Sequence, residues 1–161
     1  MTNSILLIEE GQTDDLYSII RTHKNPKIFS LTYNAHCILE KKKIPHEYGD
    51  KYLSTEDKNQ INDLAISASI NWQNNLSIVD CFKIDNIELT KFIELELLTY
   101  FSSIYRIAFS IIRIIEQEKP EKIVSTSILN DFIKNLCKIH DIQFISYEST
   151  KQLTLEYDKI N

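Results

Sequence analysis

Glycine is almost absent from this chain of 161 residues, which contains only Gly11 and Gly49. The glycine-rich loops of dinucleotide-binding proteins and P-loop proteins need several glycines, because their backbone must approach a phosphate closely. The sequence therefore excludes both nucleotide-binding motifs. We predict that the chain carries no cofactor.

Cysteine is scarce too. The three cysteines, Cys37, Cys81 and Cys137, are far apart and odd in number, and they form neither a CxxC pair nor a zinc spacing. This pattern is typical of small buried apolar side chains in a reducing compartment. We therefore predict a cytoplasmic protein without a metal site.

A strongly basic composition and a long unbroken hydrophobic run are also lacking. The formal net charge is −5 and no cluster of Lys and Arg stands apart, so we predict no nucleic-acid partner. The longest apolar tract, residues 104–115, is interrupted by Arg106 and Arg113, so we predict no membrane span. Ser4–Ile8 is too short for the hydrophobic region of a signal peptide.

What the chain does contain is clearest in residues 118–149. Lys122–Ser125 and residues 143–147 are short runs rich in apolar and β-branched residues, as buried strands are. Between them, apolar residues recur at helical spacing, and Thr126 or Ser127 offers a hydroxyl that can cap the helix. This pattern predicts a parallel βαβ unit with a right-handed crossover.

The preceding residues show the same alternation of strands and helices. Strands are predicted at Ser4–Ile8, 27–31 and 44–48, and helices at 14–22, 32–42, 54–72 and 87–118. Ser54 and Asp57 resemble a capping box, and residues 76–82 fit a strand or a helix equally well.

These elements predict an α/β fold that is Rossmann-like. We predict an open parallel five-stranded sheet in the order 3-2-1-4-5, with helices on both faces. One long helical crossover is predicted to join strands 3 and 4. No linker or repeat is visible, so residues 1–161 are predicted to form a single domain.

Ligands of such sheets bind beyond the carboxyl ends of the strands, where the strand order reverses. The candidate ligand-binding residues are therefore the polar residues and the glycine that follow strands 1, 2, 4 and 5: Glu9, Glu10, Gly11, Thr32, Asn34, Ser125, Thr126, Ser127 and Glu148. Hydroxyl and amide groups at helix N-termini can hold an anion or a sugar hydroxyl, although the same residue types also serve as ordinary helix caps. Glu9 and Glu10 could act as a general base or accept sugar hydroxyls, whereas an acidic pair in such a turn is more often solvated.

No catalytic residue is predicted. The four histidines are dispersed along the sequence, and spacing alone does not bring them together into a nucleophile or metal constellation. His46, which follows Pro45 near the third strand, is the best of this weak set.

Three segments of the sequence resemble the N-terminal half of GT-B glycosyltransferases of the surface-polysaccharide type. They are SILLIEE, KIFSLTYNAHCILEKKKIPHEYGDKYLS and EKPEKIVSTSILNDFIKNLCKIHDIQFISYE. The resemblance extends over nearly the whole chain. It implies a domain that contacts the sugar acceptor, while a C-terminal domain of a larger two-domain enzyme binds most of the nucleotide-sugar donor. The donor-site residues of the family have no matching positions here, so the isolated chain is expected to be inactive.

The leading hypothesis is thus the acceptor-side domain of a glycosyltransferase. One alternative is a stand-alone Rossmann-like module that binds a small ligand or has a regulatory role. Another is a protein-interaction subunit that forms a homodimer through the helix at 87–118, whose apolar surface is broad.

Overall fold

The computed structural model of the chain describes residues 3–9, 16–71, 83–84 and 87–147. Five strands form one all-parallel sheet: β1 Ser4–Ile8, β2 Lys27–Ser30, β3 Glu47–Tyr48, β6 Lys122–Ser125 and β7 Gln143–Ser146. Their spatial order is β3-β2-β1-β6-β7. Counted within this sheet, the order is 3-2-1-4-5, which confirms the predicted topology.

Helices connect these strands. They are α1 Leu16–Thr22, α2 Tyr33–Lys41, α3 Thr55–Asn71, α4 Thr90–Glu118 and α5 Asn130–Ile139, with a 3-10 turn at Gly49–Tyr52. Within the described ranges, α4 is the long helix predicted between the third and fourth strands of the sheet. Two short strands, β4 Lys83–Ile84 and β5 Ile87–Glu88, form a separate antiparallel pair.

The predicted start of the long helix at residue 87 is wrong. Ile87 and Glu88 pair with Ile84 and Lys83, so α4 begins only at Thr90. Apolar periodicity cannot distinguish a strand residue from the first turn of a helix when the apolar pattern continues through both. The ambiguous segment at 76–82 lies outside the described residues.

The third strand is shorter than predicted, because the turn that terminates α2 includes Ile44, the first residue of the predicted strand. Lys43 adopts a left-handed conformation with φ 52°, and the Ile44 N–H donates to Leu39 O at 3.0 Å. This is a helix-terminating turn of the Schellman type, formed here without glycine. The backbone therefore joins the sheet only at Glu47.

Both faces of the sheet are buried. On one face Leu6, Ile28 and Val124 lie side by side in register and pack with residues of α1 and α2, among them Leu16 and Leu39. On the other face Ile5, Leu7, Phe29 and Ile123 are fully buried. Burial on both faces explains why the strands appear in the sequence as continuous apolar runs.

Contacts divide the chain into two compact units. One comprises residues 1–52 and 111–161 and contains the five-stranded sheet, and the other comprises residues 53–110. In the second unit the predicted capping box is confirmed. The Asp57 carboxylate accepts hydrogen bonds from the Ser54 N–H and Oγ–H, both at 2.9 Å, and Ser54 Oγ accepts the Asp57 N–H at 3.0 Å.

One segment of α4, Ile93–Glu118, is long and apolar enough to cross a membrane by length and composition. Its mean hydropathy is 1.3, and 28% of its apolar stretch is buried. Core helices of soluble proteins can be equally long and apolar, so this feature is weak support for a membrane span. The absence of a membrane span stays a prediction.

Candidate functional site

Glu9 lies directly after β1 and is only 7% exposed. Its carboxylate oxygen Oε2 accepts hydrogen bonds from Ser127 Oγ at 2.5 Å and from the Ile128 N–H at 2.9 Å. The side chain therefore connects the end of β1 to the turn that follows β6. The expectation that an acidic residue in this turn is solvated is wrong for Glu9, because uncharged donors of the neighbouring turn hold its carboxylate.

The end of β2 joins the same cluster through Thr32. The Thr32 hydroxyl donates to Glu9 O at 2.5 Å and accepts the Ala35 N–H at 3.1 Å. Thr32 has extended φ and ψ angles of −124° and 158°, as an N-cap residue does. Thr32 is thus the cap of α2, and it also ties this cap to the backbone after β1.

The turn after β6 is buried and internally hydrogen-bonded. Ser125, Thr126 and Ser127 are at most 5% exposed. Ser125 Oγ accepts the Ser127 N–H at 3.1 Å, and Ser127 Oγ accepts the Leu129 N–H at 3.0 Å. The Thr126 N–H donates to Leu7 O at 3.1 Å.

The predicted capping of the following helix by Thr126 or Ser127 is wrong. Helix α5 begins at Asn130, and its N-cap residue, Leu129, makes no side-chain capping bond. The Ser127 hydroxyl instead donates to Glu9 Oε2. Its oxygen accepts the N–H of Leu129, which precedes the first residue of α5. A tertiary contact with Glu9 therefore decides how this hydroxyl is used.

The structure brings together Glu9, Thr32 and the three hydroxyl residues of the β6–α5 turn at the carboxyl edge of the sheet. Asn34 is exposed in the first turn of α2. Glu10, Gly11 and Glu148 lie outside the described residues. The side chains of the buried members mainly satisfy backbone donors and each other, so their principal role is to fix the shape of this edge.

Two further residues, Tyr33 and Asn130, stand at the same helix N-termini. Tyr33, the first residue of α2, is 69% exposed. Asn130, the first residue of α5, has a buried Oδ1 atom that finds no hydrogen-bond donor within the described part of the chain. An orphaned buried carbonyl oxygen costs about 1–3 kcal/mol unless water or a ligand donates to it. No signal in the sequence sets Asn130 apart from the other asparagines.

A second polar cluster lies at the opposite, amino-terminal edge of the sheet. Lys27 Nζ is 2.7 Å from Glu118 Oε1 and 2.9 Å from Glu47 Oε1. The Tyr52 hydroxyl lies 2.6 Å from Glu118 Oε1 and 2.9 Å from Glu47 Oε2. This network joins the start of β2, strand β3 with its 3-10 turn, and the end of α4.

The network shifts the pKa of every member. The hydrogen bond from Lys27 lowers the pKa of Glu47. Burial by itself would raise the pKa of Glu118, but the hydrogen bonds from Lys27 and Tyr52 outweigh burial, so the pKa is lowered. Burial would lower the pKa of Lys27, but the hydrogen bonds to its carboxylate partners outweigh burial and raise it. At Tyr52 both effects act in the same direction: burial raises the pKa most, and the hydrogen bonds to the two carboxylates raise it further.

Acidification is expected to weaken this network. Because the pKa values of Glu47 and Glu118 are lowered, both carboxylates stabilise the folded state at pH values above their ordinary pKa of 4.5. This stabilisation is lost as the pH falls through their pKa values in the folded state. Between about pH 7 and about pH 3, the wild type should lose about 1 kcal/mol more of its free energy of unfolding than Lys27→Met. The effect is small because the Lys27 and Glu47 side chains are 38% and 40% exposed and are screened by solvent.

Urea denaturation of both proteins at the two pH values measures this difference. Lys134→Met, which removes an exposed lysine of α5, is the control and should behave as the wild type. Equal acid sensitivity of Lys27→Met and the wild type would show that the ion pairs do not contribute in solution.

The structure also brings two of the dispersed histidines into contact. His36 Nδ1 and His46 Nε2 are 2.8 Å apart, although 10 positions separate them in sequence. His23 Nε2 lies 3.0 Å from the Tyr147 hydroxyl, and burial together with the charge of Lys122 lowers the pKa of His23.

Cys137 is buried, and burial raises the pKa of its thiol to about 11, as expected for an inert core cysteine.

Comparison with known proteins adds no relative: no protein-family model, no curated protein and no solved structure matches this chain significantly. Fold and site alone therefore define its class. It is a Rossmann-like α/β protein whose carboxyl sheet edge carries an ordered polar cluster around Glu9.

Proposed function

We propose that this chain is the acceptor-side domain of a GT-B type glycosyltransferase that acts in surface-polysaccharide synthesis. The observation that carries the proposal is the reversal of strand order around β1, where Glu9, Thr32 and Ser127 form one hydrogen-bonded cluster. Ligands of open parallel sheets bind at such a reversal. The resemblance of three sequence segments to this glycosyltransferase class supports the same assignment.

In this proposal Glu9 is a positioning residue. Its Oε2 already accepts two hydrogen bonds from the β6–α5 turn, so it orders the two turns that surround the acceptor. The groups that contact the sugar are at the adjoining helix N-termini. The exposed ring of Tyr33 stacks on the apolar face of a sugar ring, while the amide of Asn34 and the Oδ1 atom of Asn130 bind its hydroxyls.

The nucleotide-sugar donor is then bound by a second α/β domain, supplied by another polypeptide or by further sequence. The chain described here binds acceptor without turning it over. Leu95 of α4 is 65% exposed, which accords with the predicted homodimer through residues 87–118, and that assembly stays a prediction.

Removal of the Tyr33 ring is expected to weaken acceptor binding. Tyr33→Ala should raise the dissociation constant for a bound oligosaccharide about 5- to 10-fold, because stacking on an aromatic ring contributes about 1 kcal/mol. Nuclear magnetic resonance titration of the labelled chain with a panel of neutral and acidic oligosaccharides measures both the affinity and the site. The amide signals that move should be those of residues 32–35 and 127–131.

Tyr17→Ala is the matched control, since Tyr17 is also an exposed tyrosine, in α1, at 49%. It should bind sugars as the wild type does. If no sugar shifts these signals while a nucleotide or a small anion does, the chain is the small-ligand-binding module of the alternative hypothesis. If neither shifts them, the carboxyl edge of this sheet is not a binding site.

A further inference from the structure

A second candidate site lies away from the Glu9 cluster, where α2 and the segment before β3 meet. His36 and Glu40 are one turn apart on α2 and therefore share a face of the helix. The turn at Lys43 reverses the chain, and His46 returns to lie against His36. One ligand atom of each of the three side chains lies within 4.8 Å of the other two.

His46 is held in the form that binds metal ions. Its Nδ1 is 2.8 Å from Ile44 O, and a carbonyl oxygen can only accept a hydrogen bond, so Nδ1 carries the proton. The lone pair of Nε2 is thereby directed at His36. A backbone carbonyl that fixes the tautomer of a histidine in this way is a recurrent feature of metal ligands.

We propose that His36, Glu40 and His46 bind a zinc ion, with the fourth coordination position open. Two nitrogens at the usual Zn–N distance in a tetrahedral site are about 3.3 Å apart. For the ion to replace the hydrogen bond between the two ring nitrogens, their 2.8 Å separation needs to open by about half an ångström. The proton that His36 Nδ1 donates in this bond moves to His36 Nε2, which leaves the Nδ1 lone pair for the ion. Two imidazoles and one carboxylate with an open position are the ligands of catalytic zinc sites, whereas Mg²⁺ and Ca²⁺ prefer oxygen ligands throughout.

The surroundings suit a site that exchanges with solvent. His46 lines an open pocket of about 370 Å³, together with Pro26, Lys27, Ile28, Pro45 and Glu47. Tyr48 stacks on the His36 ring with centroids 5.4 Å apart, which restrains the orientation of that ligand. Glu40 is exposed and supplies the negative charge.

Zinc binding is tested on the full chain, stripped of metal, in competition with a chromogenic zinc chelator. We expect one zinc ion per chain at this site. His36→Ala and His46→Ala should each weaken binding about 100-fold, and Glu40→Gln about tenfold, because each removes one of three ligands. His140→Ala removes an exposed histidine beyond α5, and Cys37→Ser removes the thiol next to His36, so both controls should bind as the wild type.

Zinc affinity that is unchanged in His36→Ala and His46→Ala, or lost equally in Cys37→Ser, would overturn the proposal. X-ray absorption of the zinc-loaded wild type gives an answer even if a variant fails to fold. The expected spectrum shows nitrogen and oxygen ligands at about 2.0–2.2 Å, and sulfur ligation at about 2.3 Å would refute the site. These measurements involve no sugar, so their outcome is independent of the glycosyltransferase proposal.

Discussion

Glu9→Ala is expected to lower the free energy of unfolding by about 3 kcal/mol, because it leaves one buried and one partly buried donor without an acceptor. These are the Ser127 hydroxyl and the Ile128 N–H, both of which donate to the Glu9 carboxylate. Hydrogen bonds to a charged group contribute more than neutral ones, and an unsatisfied buried donor retains its full desolvation cost. The turn after β6 should therefore lose its fixed conformation as well as stability.

Urea denaturation at neutral pH measures the loss. Glu9→Gln keeps a carbonyl acceptor of nearly the same shape and should cost only about 1 kcal/mol. Glu121→Ala removes an exposed glutamate and should stay within about 0.5 kcal/mol of the wild type. Equal stability of Glu9→Ala and Glu121→Ala would mean that the carboxylate is solvated, and the ordered edge on which the proposed function depends would not exist.

Phe29→Ala should cost about 4 kcal/mol, the larger of the two effects, because it opens a cavity in a fully buried position. Phe29 lies in the middle of β2, in register with Leu7 of β1 and Glu47 of β3. Its ring packs edge to face against Tyr52, with centroids 5.6 Å apart. Its removal therefore also withdraws support from the Lys27 network, to which Tyr52 belongs.

Phe29→Leu, which retains most of the apolar volume, should cost less than about 1.5 kcal/mol. The two variants are compared by urea denaturation followed by far-ultraviolet circular dichroism. A loss below about 1 kcal/mol for Phe29→Ala would contradict the burial of this strand on both faces.

Much of the sheet could be predicted from local pattern. Strands such as Ser4–Ile8 and Lys122–Ser125 are buried on both faces, so they appear as short continuous apolar runs. Their alternation with helical segments makes the sheet parallel, and right-handed crossovers leave few possible strand orders. The strand order then located the edge at which Glu9, Thr32 and Ser127 meet.

The contacts within that edge could not be predicted in the same way. Glu9 and Ser127 are 118 positions apart, and Lys27 and Glu118 are 91 apart. Whether such side chains are solvated, cap a helix or bond to each other depends on which groups the folded chain brings within about 3 Å. The predicted cap at Thr126 or Ser127 was wrong for this reason.

The amino-acid sequence by itself therefore determined the class of fold, the order of the strands and the edge at which turn residues gather. Apolar periodicity depends on residues that are close in sequence, and the handedness of a crossover follows a general rule for parallel strands. Both can therefore be predicted without the folded structure. The tertiary structure alone decided that Glu9 is buried and bonded, that α4 begins at Thr90, and that His36 and His46 are in contact. Each of these depends on short-range forces between groups that only the folded backbone brings together.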